Sequence, residues 1–172
     1  MLIFLTGFMG SGKTTTGRML AEKLHYDFAD LDVLIENSEG VAITEIFAHK
    51  GEEYFRQAES AVLDSLLERK RLVVALGGGT ACFHDNMKKM KSAGITVYLK
   101  LSPEKLALRL SRGHESRPLV AGKQGEELIT HIRKLLAGRE GWYRQADVIY
   151  NADNFSLAKL KDQIAPYLEQ PD

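Results

Sequence analysis

The chain has 172 residues, with 23 Lys or Arg and 23 Asp or Glu, so its formal net charge is zero. A neutral total argues against a duplex-binding protein, because such proteins carry surplus cations that displace the counterions of nucleic acid. Apolar residues make up 44% and charged residues 27%, which is typical of a soluble globular protein of one domain. The single cysteine, Cys82, cannot form an internal disulfide, so nothing indicates an oxidising compartment.

The N-terminal segment 1–10 is apolar, but it lacks the basic start and the small-residue cleavage site of a secretory leader. No apolar run approaches the ~20 residues that a membrane span requires. We therefore expect a cytoplasmic protein without membrane or nucleic-acid partners. No exposed apolar helix stripe stands out, so a monomer is the default expectation.

Short apolar runs alternate with helix-like patterns along the chain. Residues 2–5 form a continuous apolar run, as expected of a strand buried on both faces. Ser102 and Pro103 mark a helix start. The alternation predicts βαβ units, and therefore an α/β fold with a parallel sheet. The predicted strands are 2–5, 27–31, 72–76, 95–99 and 148–150, and the predicted helices are 14–24, 33–37, 44–69 with a bend near Gly51, 86–93, 126–145 and a last one from 156.

Residues 7–14, with the sequence GFMGSGKT, fit the phosphate-loop pattern G-x-x-x-x-G-K-[ST] at every fixed position. The motif lies between a predicted buried strand and a helix, as its mechanism requires. Its backbone N–H groups and the helix N-terminus can surround a β-phosphate. Lys13 can bridge the β- and γ-phosphates, and the Thr14 hydroxyl can bind Mg²⁺. The loop therefore predicts ATP binding by Gly10, Ser11, Gly12, Lys13, Thr14 and Thr15.

A phosphate loop alone does not distinguish a motor, a GTPase and a metabolite kinase. The guanine motif N-K-x-D is missing from the sequence, and the chain is too small for most motor ATPases. The apolar run 72–76 is not followed by an apolar strand that ends in Asp, where the magnesium-binding carboxylate of a Walker B motif is expected. The magnesium carboxylate must therefore come from elsewhere in the chain.

Asp30 and Asp32 follow the second predicted strand. On an extended segment, residues two apart point to the same face, so both carboxylates can face one cleft. One can hold Mg²⁺ through water, and the other can accept the proton of an attacking hydroxyl. An ordinary acidic strand-to-helix turn with an N-cap Asp is the alternative interpretation.

Three further groups of residues have binding potential. Arg56 and Glu59 are three apart on a predicted helix, where a surface ion pair is the default interpretation. The glycines 77–79 end the third strand, at the sheet edge where α/β proteins bind ligands, and they let the backbone approach a ligand closely. Segment 113–125 has no periodicity and resembles a mobile lid, whose Arg117 can cover phosphates. Arg139 follows on the next predicted helix.

Taken together, these motifs resemble the shikimate kinase family over nearly the whole chain. The match consists of six motifs in the family's order and approximate spacing: the phosphate loop, DLD at 30–32, the run from ITEIF at 43–47 through GE at 51–52 to FRQAE at 55–59, GGG at 77–79, RPL at 117–119 and the stretch 139–143. Any one of these motifs could arise by chance, but six in register form a specific signature.

The resemblance implies a three-layer α/β/α fold with a five-stranded parallel sheet, a substrate-binding region at about 30–60 and a lid at about 113–125. It implies that ATP and Mg²⁺ are used to phosphorylate the 3-hydroxyl of shikimate, in the pathway to chorismate and the aromatic amino acids. The roles it implies are base for Asp32, Mg²⁺ support for Asp30 with Thr14, carboxylate binding for Arg56 and Arg139, hydroxyl binding for Gly77, Gly78 and Gly79, phosphate contact for Arg117, and adenine contact for Arg109 or Arg112 together with the loop around Asp153.

Two other interpretations remain open from the sequence. One is a different small phosphate-loop kinase, such as a gluconate or nucleoside monophosphate kinase, although DLD, FRQAE and GGG favour a carboxylated polyol ring. The other is a non-catalytic ATP-binding subunit. The presence of Lys13, Thr14, Asp32 and Arg117 argues against that reading, because binding alone requires neither a base nor a lid arginine.

Overall fold

The computed structural model describes residues 1–112, 120 and 122–168. Its centre is a parallel sheet of five strands in the order β2-β3-β1-β4-β5. Each residue of β1 is buried, so both faces of the sheet are covered and the α/β/α layering is confirmed. The strands are β1 (Leu2–Thr6), β2 (Asp27–Asp30), β3 (Leu72–Ala75), β4 (Ile95–Lys100) and β5 (Val148–Asn151).

Helices connect the strands and pack against the sheet, with α1 against β2 and β3, α4 against β4, and α8 against β5. A short 3-10 turn at Thr80–Cys82 follows β3, and sequence patterns did not predict it. The helices in the described part of the chain are α1 (Lys13–Leu24), α2 (Leu31–Glu39), α3 (Ile43–Asp64), α4 (Asn86–Ala93), α5 (Pro103–Arg112), α6 (Gly125–Ala137), α7 (Glu140–Tyr143) and α8 (Leu157–Leu168).

The sheet topology determines where a site can form. From β1 the chain runs to β2 and β3 on one side, and it later places β4 and β5 on the other side. The carboxyl end of β1 is therefore a topological switch point, which is where open α/β sheets bind ligands. The segments that follow β1, β2 and β3 all lie at this edge because the three strands are parallel.

Three predicted helices differ from the observed ones, and the first of them, predicted for 33–37, is observed as α2 at Leu31–Glu39. The bend near Gly51 is confirmed, since this residue has φ 79 and ψ 174 inside α3, but α3 ends at Asp64 rather than at residue 69. The single helix predicted for 126–145 is wrong. The chain leaves the α-helix at Gly138, whose low helix propensity permits a tight turn, and the Arg139 N–H donates to the Leu136 carbonyl at 2.9 Å. The chain becomes helical again only at Glu140.

Within the described ranges, none of the helices combines the length and apolar character needed to cross a bilayer.

Candidate functional site

The phosphate loop occupies the turn from β1 into α1. Gly10 and Gly12 have φ angles of 80 and 91, a left-handed conformation that a side chain would strain. Gly12 is also the N-cap of α1, so the helix N-terminus opens onto the loop. The Lys13 ammonium lies over the loop and donates to the carbonyls of Gly7 at 2.9 Å and Phe8 at 3.1 Å. These features form a cradle suited to an anion.

A cavity of about 370 Å³ lies above this loop. Arg109 of α5 reaches it, and its Nη1 donates to the Ser11 carbonyl at 3.2 Å and more weakly to the Gly10 carbonyl at 3.4 Å. The described residues that line this phosphate-loop cavity are Met9, Gly10, Gly12, Lys13, Thr14, Thr15, Asp30, Asp32, Leu76, Gly78 and Arg109. Most residues predicted to bind ATP therefore come together here.

Four residues that were predicted to bind ATP do not line this cavity, or lie outside the described residues. Ser11 belongs to the loop, but its side chain is buried and does not line the cavity, and its hydroxyl has no hydrogen-bond partner among the described residues. Arg112 is exposed at the end of α5. Asp153 lines a separate cavity of about 390 Å³, where its carboxylate accepts from the Ser102 N–H at 2.9 Å. Arg117 falls outside the described residues, as does most of the predicted lid, although α6 already begins at Gly125.

The acidic pair adopts a different backbone from the predicted extended one. Asp30 ends β2 and caps α2, because its Oδ1 accepts from the Asp32 N–H at 3.1 Å. Asp32 therefore lies in the first turn of a helix, and the prediction of an extended segment is wrong. Both carboxylates nevertheless line the phosphate-loop cavity. The N-cap interpretation of Asp30 is correct for its backbone role.

The oxygen atoms next to the loop suit a hard cation. The Thr14 hydroxyl donates to Asp30 Oδ2 at 2.7 Å, so one hydroxyl and one carboxylate lie side by side. Among the described residues no group of three His, Cys, Asp or Glu side chains could hold a metal alone. This donor set fits Mg²⁺, which is commonly held by one or two protein oxygens together with substrate phosphates and waters.

A second cavity of about 150 Å³ adjoins the first. Asp32, Met9 and Gly78 line both cavities, so the Asp32 carboxylate lies at their boundary. The remaining described lining of the second cavity, which we name the acceptor cavity, consists of Ile43, Phe47, Phe55, Arg56, Glu59, Gly77, Gly79 and Arg139.

Arg56 and Glu59 are not the surface ion pair that their spacing suggested. Arg56 is 8% exposed and Glu59 is fully buried, and Arg56 Nη1 lies 2.8 Å from Glu59 Oε2. The other Glu59 oxygen accepts from the Thr80 hydroxyl at 2.6 Å. Arg56 also contacts Glu52 at 3.2 Å on its exposed side. The buried pairing holds the guanidinium at one orientation in the cavity wall.

Two of the three glycines, Gly77 and Gly79, lie where a side chain would collide with its neighbours. A Cβ on Gly77 would lie 2.9 Å from Asp32 Oδ1 and 3.0 Å from Glu59 Oε1. A Cβ on Gly79 would lie 2.7 Å from Arg56 Nη2. From residue 77 to residue 79 the neighbours of the backbone thus change from carboxylates to a guanidinium. The cavity is therefore suited to a molecule with hydroxyls at one end and an acid group at the other.

Arg139 joins the same wall from the break between α6 and α7. The predicted helical position is wrong, since Arg139 is the N-cap of α7, and its Nη1 is 3.5 Å from the Gly78 carbonyl. The hydroxyl of the buried Tyr143 also donates to that carbonyl. A tight turn rather than a continuous helix directs this arginine to the cavity.

Burial raises the pKa of Asp32 from 3.8 to about 6. The negative charges of Asp30, Glu59 and Glu36 add to the effect, and Lys13 opposes it. A carboxylate with a pKa near 6 is mostly ionised at neutral pH, yet it binds a proton more strongly than an ordinary aspartate. Asp32 is thus suited to act as a general base.

Sequence reasoning did not assign a role to four residues that this geometry brings into the site. Glu59 was noted as the helical neighbour of Arg56 in FRQAE and Tyr143 as the last residue of the stretch 139–143, but neither was given a role. Phe47 and Phe55 line the acceptor cavity from the two sides of the Gly51 bend, with their rings 4.6 Å apart. An aromatic residue on each side of a glycine-bent helix is the signal that could have found them.

Comparisons with known proteins show the family to which the chain is similar. The family model described as shikimate kinase matches residues 9–169. A shikimate kinase of Bacteroides fragilis is 43% identical over 161 residues, which is 94% of this chain and 87% of the relative.

Solved structures give the same result. A crystal structure of shikimate kinase from Bacteroides thetaiotaomicron has a TM-score of 0.88 at 38% identity and covers 98% of both chains. A shikimate kinase of Acinetobacter baumannii in complex with shikimate has a TM-score of 0.84 at 38% identity, covering 97% of this chain and 92% of that one. Since the family model spans most of the sequence and relatives above 40% identity cover nearly all of it, the chain belongs to the shikimate kinase family.

Proposed function

We propose that this protein transfers the γ-phosphate of ATP to the 3-hydroxyl of shikimate, forming shikimate 3-phosphate and ADP. The observation that carries the proposal is the position of Asp32 at the boundary of the phosphate-loop and acceptor cavities. A base at that boundary can contact an acceptor hydroxyl on one side while the terminal phosphate of ATP lies on the other. Family membership and the shikimate complex of the Acinetobacter relative support the choice of acceptor.

The acceptor cavity has the chemistry that a small hydroxylated acid requires. Arg56 and Arg139 provide two cations for the carboxylate, and a planar guanidinium can bind it through two parallel hydrogen bonds. Asp32 lies toward Gly77 and accepts from a ring hydroxyl. The backbone N–H groups of Gly78 and Gly79 offer donors to the other hydroxyls. At about 150 Å³ the cavity is small for a nucleotide acceptor.

The reaction is an in-line displacement at phosphorus. The 3-hydroxyl oxygen attacks the γ-phosphorus, Asp32 takes the hydroxyl proton, and the bond from the γ-phosphorus to the β,γ-bridging oxygen breaks to release ADP. Lys13 moves from its loop carbonyls to the β- and γ-phosphates and stabilises their charge. The loop N–H groups and the α1 N-terminus hold the β-phosphate. Positioning and electrostatics therefore supply most of the catalysis.

Thr14 and Asp30 are the residues that we propose for Mg²⁺, with Asp30 acting through water. When bound, Mg²⁺ would neutralise part of the negative charge of the ATP phosphates. The Thr14–Asp30 hydrogen bond keeps both oxygen ligands directed toward the loop.

Other parts of the proposal extend the family resemblance. We propose that Arg117 contacts phosphate from a lid, and that Arg109 or Arg112 contacts adenine together with the loop around Asp153. Arg109 is favoured because it already lies against the phosphate loop. We further propose a single-domain, monomeric protein that works in the cytoplasm.

The proposal is tested by measuring ADP release with shikimate, gluconate and nucleoside monophosphates in parallel. We expect turnover with shikimate only, and a product that carries phosphate at the 3-position by NMR. Activity restricted to gluconate or a nucleotide would show a different acceptor on the same fold. Absence of ADP release with every acceptor, alongside measurable ATP binding, would favour a non-catalytic subunit.

A further inference from the structure

Arg56 has an aromatic partner that none of the motifs predicts. The guanidinium lies over the ring of Phe83, 4.3 Å from its centroid. Phe83 comes from the segment after β3 rather than from α3, and its side chain is 37% exposed. An exposed phenylalanine at this distance from a buried arginine forms a cation–π contact on the guanidinium face.

The turn that carries Phe83 is unusually constrained. The Asn86 N–H donates to the Phe83 carbonyl at 2.9 Å, and the two residues between them, His84 and Asp85, have φ angles of 50 and 56. The left-handed region is unfavourable for residues with a Cβ, so such a turn persists only where the surroundings hold it. The buried Asn86 side chain does so, because its amide nitrogen donates to the Thr80 carbonyl at 3.0 Å and its oxygen accepts from the Ser60 hydroxyl at 2.9 Å.

The segment 80–83 therefore contacts both members of the Arg56–Glu59 ion pair. Thr80, at its start, donates to the Glu59 carboxylate, and Phe83, after the 3-10 turn, lies against the face of Arg56. Glu52 already accepts from Arg56 Nε at 3.4 Å and from Nη2 at 3.2 Å on the exposed side, so a further carboxylate would occupy more N–H donors and neutralise more of the guanidinium charge. An aromatic face does neither, because it contacts the π surface and leaves the remaining in-plane donors for a ligand.

We propose that Phe83 is a positioning residue for acceptor recognition: it holds the Arg56 guanidinium against Glu59 while leaving available to the carboxylate of the acceptor the donors that Glu52 and Glu59 do not use. This inference rests on the proposed function, since it requires an acceptor that bears an acid group. Phe83 acts through Arg56 and has no role in the transfer of phosphate. Its removal should therefore change the binding of the acceptor alone.

The test replaces Phe83 by Leu, which keeps an apolar side chain without a π face, and by Tyr, which keeps the ring. For Phe83→Leu we expect the KM for shikimate to rise about three- to ten-fold, with kcat and the KM for ATP within two-fold of the parent. Phe83→Tyr should retain the parental KM. Tyr26→Leu is the matched control, because Tyr26 forms a comparable contact with Arg71, 5.5 Å from centroid to Cζ, and neither residue lines either cavity.

Three outcomes would overturn the inference. They are an unchanged shikimate KM in Phe83→Leu, an equal rise in Phe83→Tyr, or a joint loss of kcat, ATP binding and thermal stability that marks a structural role. Failure of the proposed function is distinguishable, because it would appear as absent shikimate turnover in the parent protein.

Discussion

The phosphate-loop cavity and the acceptor cavity share a wall that contains Asp32, but the two regions are built in opposite ways. The loop is one stretch of eight residues that acts mostly through backbone groups, and its shape depends on Gly10 and Gly12. The acceptor cavity is assembled from side chains on α2 and α3, the backbone after β3 and the break before α7. The comparison teaches that a site for a common ligand can be local, whereas a site for a particular acceptor depends on tertiary structure.

The largest expected effect lies at the wall that the two regions share. Asp32→Asn should lower kcat by about 10³-fold, because the amide cannot accept the hydroxyl proton. Both KM values should change little. Steady-state kinetics with either substrate varied would check this result, with Asp27→Asn as control, since Asp27 is an exposed aspartate of β2 outside both cavities. Near-normal turnover in Asp32→Asn would remove the base from the mechanism.

The next effect should separate the two regions. Arg139→Ala should raise the KM for shikimate about 30-fold, the cost of a charge-assisted hydrogen bond, and leave the KM for ATP unchanged. Arg144→Ala is the matched control, because Arg144 pairs with Glu140 on the protein surface at 3.1 Å. If Arg139→Ala weakened ATP binding instead, Arg139 would contribute to the phosphate-loop cavity rather than to the acceptor cavity.

A smaller effect tests the packing of the acceptor cavity. Gly79→Ala should raise the KM for shikimate about ten-fold, because the new methyl group displaces an Arg56 guanidinium that Glu59 and Phe83 hold in place. Gly141→Ala provides the control, since a Cβ there meets no atom within 4 Å. Equal kinetics for the two alanine variants would show that Arg56 moves freely, contrary to the account.

The smallest effects concern pH and stability. The pKa of Asp32 is about 6 in the folded protein against 3.8 in the unfolded chain, so the folded protein binds this proton more tightly. The free energy of unfolding therefore falls as the pH rises through this window and Asp32 loses its proton. Asp32→Asn should therefore raise the free energy of unfolding at pH 8 by about 1–3 kcal/mol, with little change below pH 4. Urea titrations at both pH values would measure this.

In the parent, kcat/KM for shikimate should fall below pH 6.

A destabilised Asp32→Asn variant at pH 8, or a kcat/KM profile that is flat to pH 4, would contradict the raised pKa. Either result would leave the phosphate loop unaffected, because the loop depends on no titrating carboxylate. The pH profile therefore reports on the shared wall rather than on ATP binding.

How much the sequence could predict follows from the same comparison. The phosphate loop was predictable because its function depends on glycines at fixed spacing, and strands β1, β3 and β4 because continuous apolar runs mark burial on both faces. The Asp32 backbone was predicted wrongly, since the capping of α2 by Asp30 starts this helix two residues earlier than periodicity indicates. The break at Gly138 and the burial of the Arg56–Glu59 pair depend on what packs against them, which spacing alone does not reveal. Phe83 and Tyr143 lie beside the site for the same tertiary reason.

The most direct test of the shared wall is a crystal structure with shikimate and a non-hydrolysable ATP analogue bound together. We expect the shikimate 3-hydroxyl to lie within about 3 Å of an Asp32 carboxylate oxygen and to face the terminal phosphate, with the shikimate carboxylate bound by Arg56 and Arg139. Shikimate bound with its carboxylate toward Asp32, or with its 3-hydroxyl turned away from the terminal phosphate, would contradict it.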